Sequence, residues 1–129
     1  MKIVEVAIAL VWRDQKLLVT QRPEGIHLGG LWEFPGGKLA SGESPETCAE
    51  REVLEEVGLQ VRARARRDSI RHEYPERRVL LHPIDCDYVD GELELREVSD
   101  ARWLRPAELG QLAFPEANRD LIAELVATG

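Results

Sequence analysis

Residues 3–11 form a nearly unbroken apolar, β-branched run, Ile-Val-Glu-Val-Ala-Ile-Ala-Leu-Val, interrupted only by Glu5. A run of that length and composition predicts a strand buried on both faces. It is too short to span a bilayer and lacks the layout of a secretory signal, so it reads as sheet interior. Arg13, Asp14 and Gln15 supply a turn, and residues 16–21 the returning strand of a hairpin. Residues 23–30 hold three glycines and a proline, which is loop composition. Trp32, Glu33 and Phe34 predict a short extended piece, closed at Pro35-Gly36-Gly37 by a sharp turn of the backbone.

The next segment changes period. Ser44-Pro45 is a helix start, with a serine cap followed by proline at the first helical position. Gly58 is the matching stop, a residue free to take positive φ. Between them run about three to four turns of helix, with Val53, Leu54 and Val57 expected to anchor it on a sheet. Residues 59–70, 77–89 and 92–98 read as further strands, with Asp90-Gly91 as a hairpin turn. Residues 106–110 suggest one helical turn and 115–127 a C-terminal helix with Leu121, Ile122 and Leu125 on its apolar face. A mixed β-sheet with helices packed on it, an α/β/α sandwich, is the simplest assembly of these elements.

Composition narrows the function classes. The 129 residues are 43% hydrophobic and 32% charged, as in an ordinary soluble globule, and fit one domain over residues 1–129. A net charge of −7 and a pI near 5.0 argue against stable nucleic-acid binding. Phosphate-bearing substrates must then be attracted locally, by a few basic side chains or bound cations. Cys48 and Cys86 have neither zinc-ligand spacing nor a disulfide framework, and read as reduced thiols in a cytoplasmic protein.

The chemistry-bearing feature is a spacing. Gly37 is followed after five residues by Glu43, and after seven more by Arg51-Glu52-Val53-Leu54-Glu55-Glu56-Val57-Gly58-Leu59. Residues three and four apart share a helix face, so Glu52, Glu55 and Glu56 crowd one side. Like charges so placed destabilise a bare helix by a few tenths of a kcal/mol per pair, roughly. A bound Mg²⁺ or Mn²⁺, which takes hard oxygen ligands, would turn that cost into a use. A Glu-rich face is more commonly only solvated. Arg51, Gly58, Glu43 and the preceding Pro35-Gly36-Gly37, all at fixed offsets, favour the metal site instead.

This string resembles the signature box of the Nudix hydrolases at every specified position. The resemblance implies a Nudix-like α/β/α sandwich and a Mg²⁺-dependent pyrophosphohydrolase, with Mn²⁺ as a substitute. It assigns Glu52, Glu55 and Glu56 as ligands or base, the Gly37 carbonyl as a further ligand, and Glu52 as the favoured general base. Glu43 and Arg51 would hold the ligands in place. Glu97 matches a carboxylate from outside the box, with Glu94 and Asp100 as nearby alternatives.

Nearly the whole chain is similar to the MutT-like branch, which sanitises oxidised guanine nucleotides. Trp32-Glu33-Phe34-Pro35-Gly36-Gly37-Lys38 enters the box as in that branch, and Phe114-Pro115-Glu116-Ala117-Asn118 places an asparagine where the branch reads the purine. Oxidation at C8 gives guanine N7 a hydrogen, so the N7–O6 edge becomes donor plus acceptor. The carboxamide of Asn118 can pair with both at once. A helix cap is the alternative role for Asn118. Arg22 and Lys38 would meet phosphates or sugar, His27 the sugar, and Phe34 the base. Each also has an ordinary reading, as surface, loop or core residue.

Arg62, Arg64 and Arg66 alternate and are expected on one face of a charged edge strand. Arg77 stands apart from this basic stretch, because it matches a position near the nucleotide in the MutT-like branch. The substrate implied is a small nucleoside triphosphate, most closely 8-oxo-dGTP, cleaved to 8-oxo-dGMP and pyrophosphate. Relatives with the same entry motif act on CTP or dCTP, which gives the competing substrate. A non-catalytic nucleotide-binding module is the competing class, although such modules usually lose box carboxylates that this chain keeps. A monomer without membrane association completes the expectation.

Overall fold

The apolar run that opens the chain becomes the spine of an eight-stranded mixed sheet. The computed structural model describes residues 2–128. Strand β1 (Lys2–Arg13) pairs in parallel with β7 (Arg77–Asp90), in register from Lys2–Arg77 to Trp12–Asp87. Its other edge is shared by β2 (Lys16–Gln21) and β4 (Gly36–Lys38), both antiparallel. Strand β2 also pairs with β3 (Trp32–Glu33) and with β8 (Asp100–Leu104). Along the far edge of β7 lie β5 (Gln60–Arg66) and then β6 (Ile70–Tyr74), both antiparallel.

Alternation along β1 sends successive side chains to opposite faces, and each face has its own core. Ala7, Ala9 and Val11 pack with Val53, Val57, Ile84 and Cys86 beneath helix α1 (Pro45–Val57). Ile8 and Leu10 pack with Leu17, Val19, Leu121 and Leu125 beneath helix α2 (Arg119–Thr128). Helix, sheet and helix therefore stack as the expected α/β/α sandwich. Burial on both faces holds for residues 7–11 of β1, while residues 2–6 are exposed or half-buried. On that outer half, Val4 and Val6 border a cavity rather than packed core.

Local signals placed α1 well. The Ser44 hydroxyl accepts from Thr47 N–H at 3.1 Å, Pro45 follows it, and Gly58 closes the helix at φ 73°. Val53 and Val57 are fully buried, but Leu54 is 43% exposed, one helical step off the buried face. Its expected anchoring role is therefore corrected.

Five other expectations change. The expected turn narrows to a bend at Pro35, and Gly36 and Gly37 extend as β4 against β1. Only glycine fits there, because a Cβ on Gly36 would sit 2.1 Å from the Ala7 carbonyl oxygen. Residues 59–70 are two strands, β5 and β6, separated by residues 67–69. A register shift between Ala63 and Ala65 leaves Arg62 opposite Asp87 and Arg66 opposite Ile84, on different faces, so the three arginines do not share one. The charged edge itself is as expected, with Arg64 paired to Asp87 and Arg66 to Glu46.

Residues 92–98 form no strand. The N–H groups of Glu94, Arg96 and Glu97 instead go to the carbonyls of Val57 and Glu56, at 2.9–3.2 Å. Those are among the carbonyls that a helix C-terminus leaves without partners. The C-terminal segment is also divided, into a 3₁₀ turn at Glu116–Asn118 and then α2. Among the described residues, no helix is long and apolar enough to cross a membrane.

Because Val53 is buried and Leu54 is not, Val53→Ala should lower unfolding free energy by roughly 1–3 kcal/mol. Leu54→Ala should change it by about 0.5 kcal/mol or less. Urea denaturation of both variants checks the assignment of the helix face.

Candidate active site

The phase of α1 decides which acids meet. With its caps fixed, Glu52 and Glu56 point toward β4, and Glu55 toward solvent. Glu56 is only 7% exposed, and its Oε2 accepts the Gly36 N–H at 3.2 Å. The Glu52 carboxylate lies against Gly37, where an added Cβ would meet Glu52 Oε2 at 2.3 Å. Glycine at 37 thus leaves the room that the Glu52 carboxylate occupies.

Glu52 and Glu56 line a cleft of about 190 Å³ together with Glu33, Glu97, Arg22, Gly36 and Ile26. Glu97 reaches it because its backbone N–H is held by the Glu56 carbonyl at 3.2 Å. Its neighbours are occupied elsewhere: Glu94 pairs with Arg96 at 3.0 Å, and Asp100 accepts from Ala101 N–H at 2.8 Å. Of the three acids near that position, only Glu97 faces the cleft.

Arg51 organises the acids around it. Its Nε and Nη2 bind Glu43 in a fork at 2.8 and 2.9 Å. Nη1 reaches Glu55 at 3.1 Å and Glu52 at 3.3 Å, and Nη2 also donates to the Lys38 carbonyl. These bonds, with one from Ala40 N–H, hold the Glu43 carboxyl down at about 2. Glu55 stays at the exposed rim, paired to Arg51. The Gly37 carbonyl accepts from the buried Cys48 thiol at 3.4 Å. Burial, and then the Glu43 charge, push that thiol up to about 11.

The cleft acids behave differently from Glu43. Burial pushes Glu56 up to about 9, and the charges of Glu33, Glu52 and Glu97 add to the shift. Burial also raises Glu52 and Glu33, each against an opposing arginine. Ionised together, these carboxylates would carry more negative charge than the neighbouring arginines offset. Among the described residues, no three acidic, histidine or cysteine side chains already stand at coordinating geometry. The donors are nevertheless all hard oxygens, they are short of positive charge, and a glycine cradle keeps one of them in place. That combination fits a divalent cation.

A second cavity of about 250 Å³ continues from the cleft past Arg22, Glu33 and Gly36. Val4, Val6, Ile8, Val79 and Leu81 give it an apolar lining. Asn118, 8% exposed, lies on its wall, and among the described residues its carboxamide forms no hydrogen bond. Lys38, Gly37, Arg77 and Phe34 also border it. Phe34 is buried and stacks on Phe114 at 5.7 Å, so it belongs to core and cavity at once. His27 lies outside, in an adjoining depression with Tyr74, Glu76 and Arg77. Its backbone carbonyl accepts from Arg22 Nε at 2.9 Å.

Glu33 is the residue that sequence reasoning passed over. Among the described residues it is the one carboxylate bordering both cavities, and it pairs with Arg22 at 3.4 Å. The available signal was an acid between Trp32 and Phe34, two aromatics that are both buried.

Comparison with known proteins agrees with this geometry. The family model of the NUDIX domain matches residues 6–124. The chain is 30% identical over 126 residues to the 8-oxo-dGTP diphosphatase of Escherichia coli strain K12, covering 97% of this chain and 98% of that protein. It is 33% identical over 127 residues to the CTP pyrophosphohydrolase of the same organism, covering 98% and 94%. Among solved structures, the solution structure of the E. coli ORF135 protein superposes with a TM-score of 0.86 at 34% identity, covering 98% and 91%. The MutT protein from Methanosarcina mazei Go1 gives 0.85 at 25% identity, covering 98% and 95%.

Raised acids have a consequence for stability. Glu56 holds its proton in the folded state up to about 9, well above the ordinary 4.5. Between those values the folded chain binds the extra proton, so stability is greatest at the acidic end and falls as pH rises through the window. The thermal midpoint of the metal-free protein should decline from pH 5 to pH 9, and Glu56→Gln should flatten the decline. An equal slope in both proteins would remove Glu56 as its cause.

Proposed function

The chain belongs to the Nudix family, and on that premise we propose that it hydrolyses 8-oxo-dGTP to 8-oxo-dGMP and pyrophosphate with Mg²⁺. It is a Nudix hydrolase, and such enzymes generally need divalent cations. Here Glu52, Glu56 and Glu97 would hold the cation, with the Gly37 carbonyl beside them, and Glu55 would join from the rim by leaving its pair with Arg51. Once bound, the cation offsets phosphate charge and lowers the pKa of water.

The side chains account for the remaining work. Glu52, raised by burial yet touched by Arg51, takes the proton of the attacking water as general base. Arg51 and Glu43 hold that carboxylate in place, and Glu43, ionised down to about 2, keeps Arg51 from swinging away. Arg22 stands where the cleft meets the second cavity, which suits a phosphate joined to a nucleoside. Lys38 and Arg77 add charge at the rim of that cavity.

Asn118 carries the choice of base. A nearly buried carboxamide facing an apolar cavity offers one donor and one acceptor, which matches an N7-protonated, O6-bearing purine edge. Unoxidised guanine would set acceptor against acceptor there, at a cost of about 1–3 kcal/mol. One observation favours a second reading, the 33% identity to a CTP pyrophosphohydrolase over almost the full chain. Under that reading the chemistry stands and the pyrimidine replaces the purine.

Two measurements test these roles. Glu52→Gln should lower kcat by roughly 10²–10⁴ while leaving the thermal unfolding profile cooperative. Pyrophosphate release across oxidised and ordinary nucleoside triphosphates, at substrate levels reporting kcat/KM, should rank 8-oxo-dGTP first. Asn118→Ala should cut that preference over dGTP by roughly tenfold or more. A higher kcat/KM for CTP than for 8-oxo-dGTP would select the second reading.

A further inference from the structure

On the opposite face of the sheet from the nucleotide cavity, a buried histidine sits between a serine and a glutamate. His82 of β7 is 6% exposed, with Ser69 Oγ 2.8 Å from Nδ1 and Glu5 Oε1 2.9 Å from Nε2. Glu5 belongs to β1, the parallel neighbour of β7, and shares its α1-facing side with Ala7 and Ala9. Ser69 lies in the break between β5 and β6 and is exposed. It lines none of the cavities described above.

The partners set the tautomer. An ionised carboxylate can only accept, so the Nε2 position carries the ring proton. With its ring proton on Nε2, an imidazole that holds no second proton has its lone pair on Nδ1, where it accepts from the Ser69 hydroxyl. A hydroxyl bonded to a base that a third group orients is the arrangement of an activated nucleophile. The nearby cations leave Ser69 open: Arg66 is bound to Glu46, and Arg67 to Asp85 and Glu124.

We propose that Ser69 is a nucleophilic hydroxyl, oriented through His82 and Glu5, that accepts an acyl group from activated esters. Ser69 Oγ forms a bond to the carbonyl carbon, and its proton passes to His82 Nδ1. The bond from that carbon to the leaving oxygen breaks, and the leaving oxyanion departs with the electron pair. The imidazolium then returns its proton to solvent. Because the site is open surface rather than a cavity, the reaction stops at one acyl group per chain and requires a good leaving group.

The probe is p-nitrophenyl acetate with the full chain, read by p-nitrophenolate release and by site-resolved mass spectrometry. Ser69 should be acetylated at least tenfold faster than Ser41 and Ser99, exposed serines that serve as internal controls. Ser69→Ala should abolish the adduct and leave nucleotide hydrolysis unchanged. His82→Gln and Glu5→Gln should each slow acetylation roughly 10²-fold. Glu5 is half-exposed, so its variant keeps the test open should loss of the buried imidazole unfold the chain. Acetylation of Ser69 no faster than of Ser41 and Ser99 overturns the proposal, as does an undiminished rate in folded Glu5→Gln.

Discussion

The close approach of β4 to both β1 and α1 is the constraint on which the cleft depends. Gly36 lies so near the Ala7 carbonyl, and Gly37 so near the Glu52 carboxylate, that any side chain at either position must displace backbone or a carboxylate. The same approach brings the Gly36 N–H to Glu56. Two residues without side chains thereby pin the helix to the sheet, register its acids and leave a carbonyl edge beside them. The pairing of β4 with β1 in turn relies on the apolar run that makes β1 a central strand.

Given that docking, charge balance divides the acids into two groups. Glu43 and Glu55 are satisfied by Arg51 and stay near the surface. Glu52, Glu56, Glu97 and Glu33 face a common cleft with Arg22 as the nearby cation, and three of them are raised by burial. The fold thus holds like charges together at some cost to itself, which is the arrangement expected of a site built for a cation rather than of a solvated helix face. Arg51 has the complementary task. By gripping Glu43 in a fork it becomes a fixed strut, so its contact with Glu52 has a defined direction.

What could be read in advance was what short-range chemistry controls. Helix α1 was legible to the residue, because Ser44, Pro45 and Gly58 act within one turn of each end. The spacing of Glu52 and Glu56 placed both in the cleft for the same reason. Residues 92–98 misled because their alternating pattern mimics a strand, whereas their hydrogen-bond partners are carbonyls on α1 that only the tertiary structure supplies. Gly36 and Gly37 misled in the other direction: paired glycines signal a turn locally, but here they answer to crowding by distant backbone. Glu33 was passed over because its position at the junction of two cavities depends on β2, β3 and the residue 22–31 loop meeting α1.

Alternation along the β1–β7 pair also explains why one sheet carries two unrelated constellations. Val4, Val6, Val79 and Leu81 point to the cavity side, where they form the apolar lining opposite the Asn118 carboxamide. Glu5 and His82 occupy the intervening positions and so must face α1. A polar pair there is tolerable only because each imidazole nitrogen has a partner, Ser69 on one side and Glu5 on the other. Strand geometry thus insulates the apolar floor from the histidine beneath it. Substitutions at Ser69 or Glu5 should leave the cavity lining alone, whereas changes at Val6 or Leu81 would reach it directly.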